Sequence, residues 1–414
     1  MDLGRPEKIL FITSGQPSLN PRIVKEADAL ANAGYSVTML YAYWNEWGAE
    51  FDTQLIATKK WKAICIAGDP KKKWLIYFIS RVIYKLANLI NRLLIGKVIT
   101  KLAISRPTYF LIRAAKKQKA DLYIGHNMGA LPATVKAAKF NNKLCGFDAE
   151  DFHRYETSDN NNNIDVILKA HLENKYIPQL SYFTTSSPQI ANSYQQIFAD
   201  LKPVVLLNVF PKNLLKLSGQ NINKPLKLFW FSQTIGVNRG IEDIIGSLQL
   251  LDKKQFELHL LGSQLPDSKL IIDKLNKSGI VIKLYDPIFP DDIVNFATQF
   301  DIGLALENKV PFNRDVCLTN KIFTYMQAGL AIIASNTEAQ QDFMNKVPQI
   351  GYTYPKGNSK KLAEILLNYS QNSDELMKCK TESLRLAHYQ YNWETESLKF
   401  LQLVKDTLAT GRNV

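Results

Sequence analysis

The sequence predicts an α/β protein made of two doubly wound parallel-sheet domains, and three observations carry that prediction. Strand and helix patterns alternate along the chain twice over. The strands are short, continuous apolar runs, such as LAIIAS at 330–335, which is what a sheet covered on both faces demands. A chain of 414 residues also exceeds what one compact core holds, so two domains of roughly 200 residues each are expected. The apolar fraction of 46% and charged fraction of 21% are those of an ordinary folded protein, so disorder is a local matter. The polar run from Asp159 to Asn163 reads as a mobile surface loop.

In the first domain, 1–206, KILFITS, YSVTMLYA, KAICIAG, ADLYIGH, KLCGFDA and LSYFTTSS read as strands. Helical patterns such as NPRIVKEADALANAG and LPATVKAAKFNN separate them. Periodicity lapses over 207–227, where Pro, Asn, Ser and Gly cluster, and this is the expected linker. The second domain, 228–390, has strands KLFWFSQ, FELHLLG, IVIKLYD, DIGLALE and LAIIAS. A last helical stretch over 391–414 is placed as an element that can cross back onto the first domain. Two Rossmann-like sheets facing one another leave a cleft at the carboxyl ends of their strands, where ligands bind in this architecture.

Charge narrows the partners. From Lys71 to Ala120 there are 13 basic residues and no Asp or Glu, and these equal the net charge of +13 for the whole chain. Within this basic segment, 71–119, Arg81, Lys85, Asn88 and Arg92 recur at helical spacing as a narrow polar stripe on a broadly apolar helix. Charge interrupts the run too often for a membrane span. The pattern suits a helix lying on an anionic membrane through 71–101, with Trp74, Tyr77, Phe78 and Tyr84 as anchors. The alternative is a helix packed in the core or on an oligomer partner. Nucleic acid is not expected, because no recognition motif accompanies the basic residues.

No secretory segment precedes the first strand, so a cytoplasmic protein is expected, peripheral on the inner face of the cell membrane. Cys65, Cys145, Cys317 and Cys379 are far apart, with no metal spacing, and read as buried thiols. Neither a metal nor a cofactor is expected.

Four stretches carry candidate chemistry. In CLTNKIFTYMQAGLAIIAS, Asn320 and Lys321 open a helix, and a cation beside free N–H groups makes a place for an anion. The plainer reading is a cap at Thr319 or Asn320 with Lys321 solvated. GHNMGALPA puts His126 and Asn127 after a strand, and GFDAEDFHRYE puts Asp148, Glu150, Asp151, His153, Arg154 and Glu156 after another. Four acids and a histidine over nine residues exceed what packing asks of a strand end. In SGQPSLNPRIV, Asn20 reads either as a ligand or as the N-cap of a helix starting at Pro21.

The order of these motifs, with RGIEDIIGSLQLL and DIGLALE between them and YNWETESLKFLQLV at the end, resembles the group 1, or family 4, glycosyltransferases of the GT-B fold over nearly the whole chain. The resemblance implies a metal-independent, retaining hexosyl transfer from a nucleotide-diphosphate sugar bound by the second domain. The acceptor, a glycan or a lipid-linked one, would sit on the first. Family members place a basic residue five positions before a Lys-Gly pair; here Thr234 precedes Arg239–Gly240.

One expected cation is therefore missing, and Lys321 or Arg314 would replace it beside Arg239 at the donor diphosphate. Thr324 stands where the family has a donor-binding Glu, so Glu307 or Asp315 would supply the carboxylate. Gly15 would approach the donor phosphates; Asn20, Arg22, His126, Asn127 and Asp148 would line the acceptor. The base is open among Glu150, Asp151 and His153. A nucleotide-sugar epimerase and a non-catalytic membrane-associated partner subunit are the rival readings.

Overall fold

A computed structural model describes residues 5–94, 101–213, 222–237, 239–264 and 268–411. Lys97 of the basic segment and residues 214–221 of the expected linker lie outside the described residues. The chain divides into two compact units, Met1–Leu206 with Ser397–Val414, and Leu207–Glu396. Residues 207–213 belong to the second unit, where Phe210 O accepts a bond from Trp393 N at the start of the final helix.

The first unit holds a parallel sheet of β1 (Lys8–Thr13), β2 (Ser36–Ala42), β3 (Lys62–Ile66), β4 (Leu122–His126), β5 (Leu144–Ala149), β6 (Tyr182–Thr185) and β7 (Val204–Val205). Its strand order is β3-β2-β1-β4-β5-β6-β7. The second unit holds β8 (Leu226–Ile235), β9 (Phe256–Gln264), β10 (Val281–Tyr285), β11 (Ile302–Ala305), β12 (Ala331–Ser335) and β13 (Gly351–Tyr354), in the order β10-β9-β8-β11-β12-β13. In each sheet the chain starts in the middle, winds outward one way and then returns to wind the other. Loops leaving the two central strands diverge at that reversal, β1/β4 in one unit and β8/β11 in the other, and open a crevice at the carboxyl ends.

Side-chain alternation explains the layering. Leu228, Trp230 and Ile333 enter one buried cluster of the second unit, while Phe229, Phe231 and Ile332 enter the cluster on the opposite face. Both faces of these strands are covered, which is why LAIIAS is apolar at every position up to Ser335. In the first unit, Phe400, Val404 and Leu408 of the final helix join Ile9, Phe11, Leu122 and Ile124 in one core.

Two elements correct the reading of the basic segment. Helix Trp74–Leu93 forms, but its polar stripe splits: Arg81, Lys85 and Arg92 are exposed, whereas Asn88 turns inward and donates to the carbonyls of Tyr84 and Ala103. Of the four aromatic anchors, only Trp74 and Phe78 face outward. Tyr77 packs edge-on against Tyr43 and under Arg106, and Tyr84 is half-buried. The cysteines differ too, for Cys145 and Cys379 are buried but Cys65 and Cys317 only partly.

A close approach inside the second sheet gives a test. A Cβ on Gly303 of β11 would lie 2.2 Å from Cγ of Tyr325, whose hydroxyl is fixed on Leu304 O at 3.0 Å. Gly303→Ala is expected to destabilise the protein by about 1–3 kcal/mol through overpacking, read as a lower midpoint in urea unfolding.

Candidate functional site

At the β1/β4 reversal of the first unit the structure builds a buried ionic network. Pro21 opens helix Pro21–Asn32, and Asn20 caps it, accepting from the N–H groups of Arg22 and Ile23. The same Asn20 donates through Nδ2 to Glu150 Oε1 at 2.6 Å. Cap and site contact are thus both true of one side chain. Arg22, on the first turn, is 1% exposed; its Nε and Nη2 fork the two carboxylate oxygens of Asp148 at 2.7 Å each, and Nη1 donates to Leu206 O at 2.7 Å. Thr184 of β6 adds a bond to Asp148 Oδ1 at 2.5 Å.

His126, at the end of β4, sits between carboxylates. Its Nε2 is 3.0 Å from Glu26 Oε2, and its Nδ1 is 3.5 Å from both Asp148 Oδ2 and Glu150 Oε1. Burial by itself would push the imidazole down, but Glu26, Glu150 and Asp148 outweigh it and raise its pKa to about 10. For Asp148, burial is likewise outweighed by Arg22 and His126, and its pKa is lowered; burial wins at Glu26, whose pKa is raised. Glu26, His126 and Asp148 offer ligand atoms within 4.8 Å of one another. The Arg22 guanidinium supplies positive charge beside the trio.

Arg22, His126 and Asp148, expected to line the acceptor, are closed off from solvent and bonded to one another. Glu150 is the network's outlet, its side chain 28% exposed. His153 belongs to a separate group: buried, with Nδ1 3.4 Å from Glu156 and its backbone N–H on the Tyr194 hydroxyl at 3.1 Å. Burial opposes ionisation of Glu156, but His153 and Lys169 hold its pKa down at about 2. Arg154 bonds Glu173 at 2.7 Å. The acid-rich stretch thus splits into two clusters, and Asp148 and Glu150 are the members that join the network at the reversal point; Asp151 is half-buried beside them.

The first loop is tied down by Asn127, which adopts φ 58°. Its Oδ1 accepts from Ser14 N and Oγ at 3.1 and 2.6 Å, and its Nδ2 donates to Thr13 Oγ1 at 2.9 Å. A Cβ at Gly15 would find no atom nearer than 3.9 Å, so packing does not require glycine there. Sequence reasoning missed Glu26, which looked like one more helix charge, and the buried Gln16–Asp52 bond of 2.9 Å beneath the loop. A Glu four residues after Arg22 was the available signal.

At the β8/β11 reversal of the second unit the charges are arranged differently. Arg239 is half-buried, its Nη1 and Nη2 3.4 Å from Ser232 Oγ and Thr234 Oγ1. Burial and the nearby Arg314 lower its pKa, with Glu307 acting in the opposite sense. Gly240 follows at φ 80°, where a Cβ would come within 2.6 Å of Leu306 Cβ, so glycine is required for Arg239 to sit at this helix start. Arg314 comes from the short helix Phe312–Val316 after β11.

Lys321 is not solvated. It is 8% exposed and forms a close ion pair with Glu307, whose backbone N–H is held by Ser335 Oγ at 2.8 Å. Thr324 is buried and donates its hydroxyl to Asn320 O at 3.1 Å. Asp315 accepts from Glu338 N at 2.8 Å and so stabilises another helix start. Asn320 is exposed at the first position of its helix, and Thr319 makes no side-chain cap.

No family model and no curated protein matches the sequence. Solved structures do. HepE of Anabaena, in complex with UDP and glucose, aligns with a TM-score of 0.69 at 15% identity, covering 97% of this chain and 100% of that one. Sucrose-phosphate synthase from Thermosynechococcus elongatus gives 0.69 at 13% identity, covering 98% and 100%. WaaG, a glycosyltransferase involved in lipopolysaccharide biosynthesis, gives 0.61 at 11% identity, covering 94% and 98%. The fold is GT-B. Within that GT-B frame, the ionic network lies in the first unit and the paired arginines in the second.

The His126 network predicts a pH profile. Its pKa is about 10 in the fold against an ordinary 6.5, so its stabilisation is complete below pH 6.5 and lost as pH rises towards 10. The melting temperature should fall across that window. His126→Gln should cost roughly 3–5 kcal/mol, because it strands buried carboxylates, and should flatten the profile there. Melting curves at stepped pH read both.

Proposed function

We propose that this protein is a glycosyltransferase that moves a hexosyl group from a nucleotide-diphosphate sugar to a glycan or lipid-linked acceptor, as a peripheral protein on the cytoplasmic face of the cell membrane. One observation carries the reading. Arg239, half-buried with its guanidinium 3.4 Å from Ser232 Oγ and Thr234 Oγ1 at the end of β8, and Arg314, on the short helix after β11, both come from segments at the β8/β11 reversal. Two like charges held together at a ligand crevice make a site for an anion of high charge density, and a diphosphate fits.

In this reading the two guanidinium groups hold the donor diphosphate and stabilise charge on the departing nucleoside diphosphate without a metal. Glu307, kept in place by Lys321 and Ser335, is the carboxylate that faces donor hydroxyls. Lys321 is then a positioning residue and not a phosphate ligand. In the first unit Glu150, aimed by Asn20, takes the acceptor proton, with Asp151 beside it. Retention of configuration rests on the resemblance to family 4 enzymes. HepE, whose structures carry UDP and UDP-glucose, supports a nucleotide-sugar donor. An epimerase would share the donor site and differ in inverting a stereocentre of the donor sugar with no transfer to an acceptor.

One observation favours a second reading as a non-catalytic partner subunit: the Lys321–Glu307 pair occupies both side chains, and Thr234 stands in place of a cation.

A thermal-shift screen of nucleotide sugars tests the proposal, since a ligand that binds only the folded state raises the melting temperature. Arg239→Ala and Arg314→Ala should each weaken donor binding by about 1.5–3 kcal/mol, and less than additively together. Glu150→Gln should abolish acceptor-dependent release of nucleoside diphosphate while leaving donor binding intact. No shift with any nucleotide sugar would remove the enzyme reading. Lys321→Ala is a poorer probe, for it leaves Glu307 buried without its partner, and is expected to lower the melting temperature as well.

A further inference from the structure

Helix Trp74–Leu93 is mounted inside out. Its inward side carries Ser80, Ala87 and Asn91, all buried, and Ser80 Oγ accepts from Arg106 Nη1 at 2.7 Å. Its outward side carries Leu75, Phe78, Val82, Leu86, Leu89 and Leu93, with Leu86 54% and Leu93 70% exposed. In a helix of 3.6 residues per turn, Arg81, Lys85 and Arg92 fall along one flank of that apolar face. A surface helix normally turns such a face to the core, and a contiguous apolar band of this length marks an interaction surface.

Charge identifies the partner. Exposed basic groups surround the helix, and no acid occurs from Lys71 to Ala120. Near its N-terminus, Ile66, Ile76 and Phe110 floor a groove of about 320 Å³ whose rim is Lys73, Arg113 and Lys117. Beyond its C-terminus, Lys101, Lys116 and Lys175 crowd Lys136, whose pKa is lowered by burial and by those neighbours. Trp44 and Trp47 are exposed close by, where Glu46 pairs with Lys71 and Tyr43 meets Tyr77. An apolar stripe flanked by cations and edged by tryptophan has the chemistry of an anionic lipid surface, with acyl chains for the stripe and headgroup phosphates for the flank.

We propose that the outward face of helix Trp74–Leu93 and the basic groove beside it dock the protein on an anionic lipid bilayer. This rests on the peripheral location put forward above, and is independent of the transfer chemistry. No described helix is long and apolar enough to cross a membrane, so docking is interfacial.

Co-sedimentation of the full chain with vesicles tests it. Vesicles of phosphatidylcholine with phosphatidylglycerol should pull the protein down, pure phosphatidylcholine should not, and salt should release it as screening grows. Replacing Arg81, Lys85 and Arg92 by Glu should weaken partitioning by at least a hundredfold, taking about fivefold for each basic group. Phe78→Ala with Leu89→Ala should weaken it at constant charge. All five positions are exposed, and unchanged melting curves check that the variants fold.

Binding that ignores lipid charge and salt would overturn the proposal. So would a wild-type dimer in sedimentation velocity that Leu86→Asp dissolves without any lipid binding, which would assign the face to a second copy of the chain. The nucleotide-sugar thermal shift, run on the same samples, separates the two readings: vesicle binding without a shift removes the transferase, and a shift without vesicle binding removes the docking surface.

Discussion

The buried Arg22–Asp148 fork organises the first unit. It joins the first helix to β5, reaches β6 through Thr184, and ties the end of the sheet through Leu206 O. Two charges this deep are tolerated only because nearly every hydrogen-bonding direction is filled and because His126 carries a compensating proton. Removing one member leaves another charged and dry. The residues at the start of the first helix, from the cap Asn20 to Glu26, serve that requirement, and Glu150 lies at the exposed end of the network.

The second unit has the same strand winding but uses its reversal point differently. In the first unit positive and negative groups neutralise each other in the interior. In the second, Lys321 and Glu307 form a close pair, while Arg239 and Arg314 both come from segments at the β8/β11 reversal. A satisfied network holds a shape; an excess of one charge at a crevice invites a ligand.

The basic helix shows a third use of charge. Its inward Asn88 and Ser80 bond neighbouring backbone and Arg106, and its large apolar residues are left outside. Folding by itself gives no reason to leave so many large apolar groups in water. The buried Asn91 side chain, on the same inward side, has no hydrogen-bond partner among the described residues.

Much of this was determined by the sequence alone. Continuous apolar runs bounded by turn residues placed the long strands, since a sheet covered on both faces admits little else, and the lack of acids over 71–119 marked the basic surface. The short strands β7 and β13 escaped, because two to four residues carry no period. The sequence also named most members of both sites, Arg22, His126, Asp148, Glu150, Arg239, Glu307 and Lys321 among them. It could not assign their partners. Periodicity describes one element at a time, whereas whether Lys321 meets solvent, a phosphate or Glu307 depends on which strand ends the winding brings side by side. The same limit left Asn88, Tyr77 and Tyr84 on the wrong side of their helix. An amphipathic pattern tells that a helix has two faces, and only the tertiary structure decides which of them is turned to the protein.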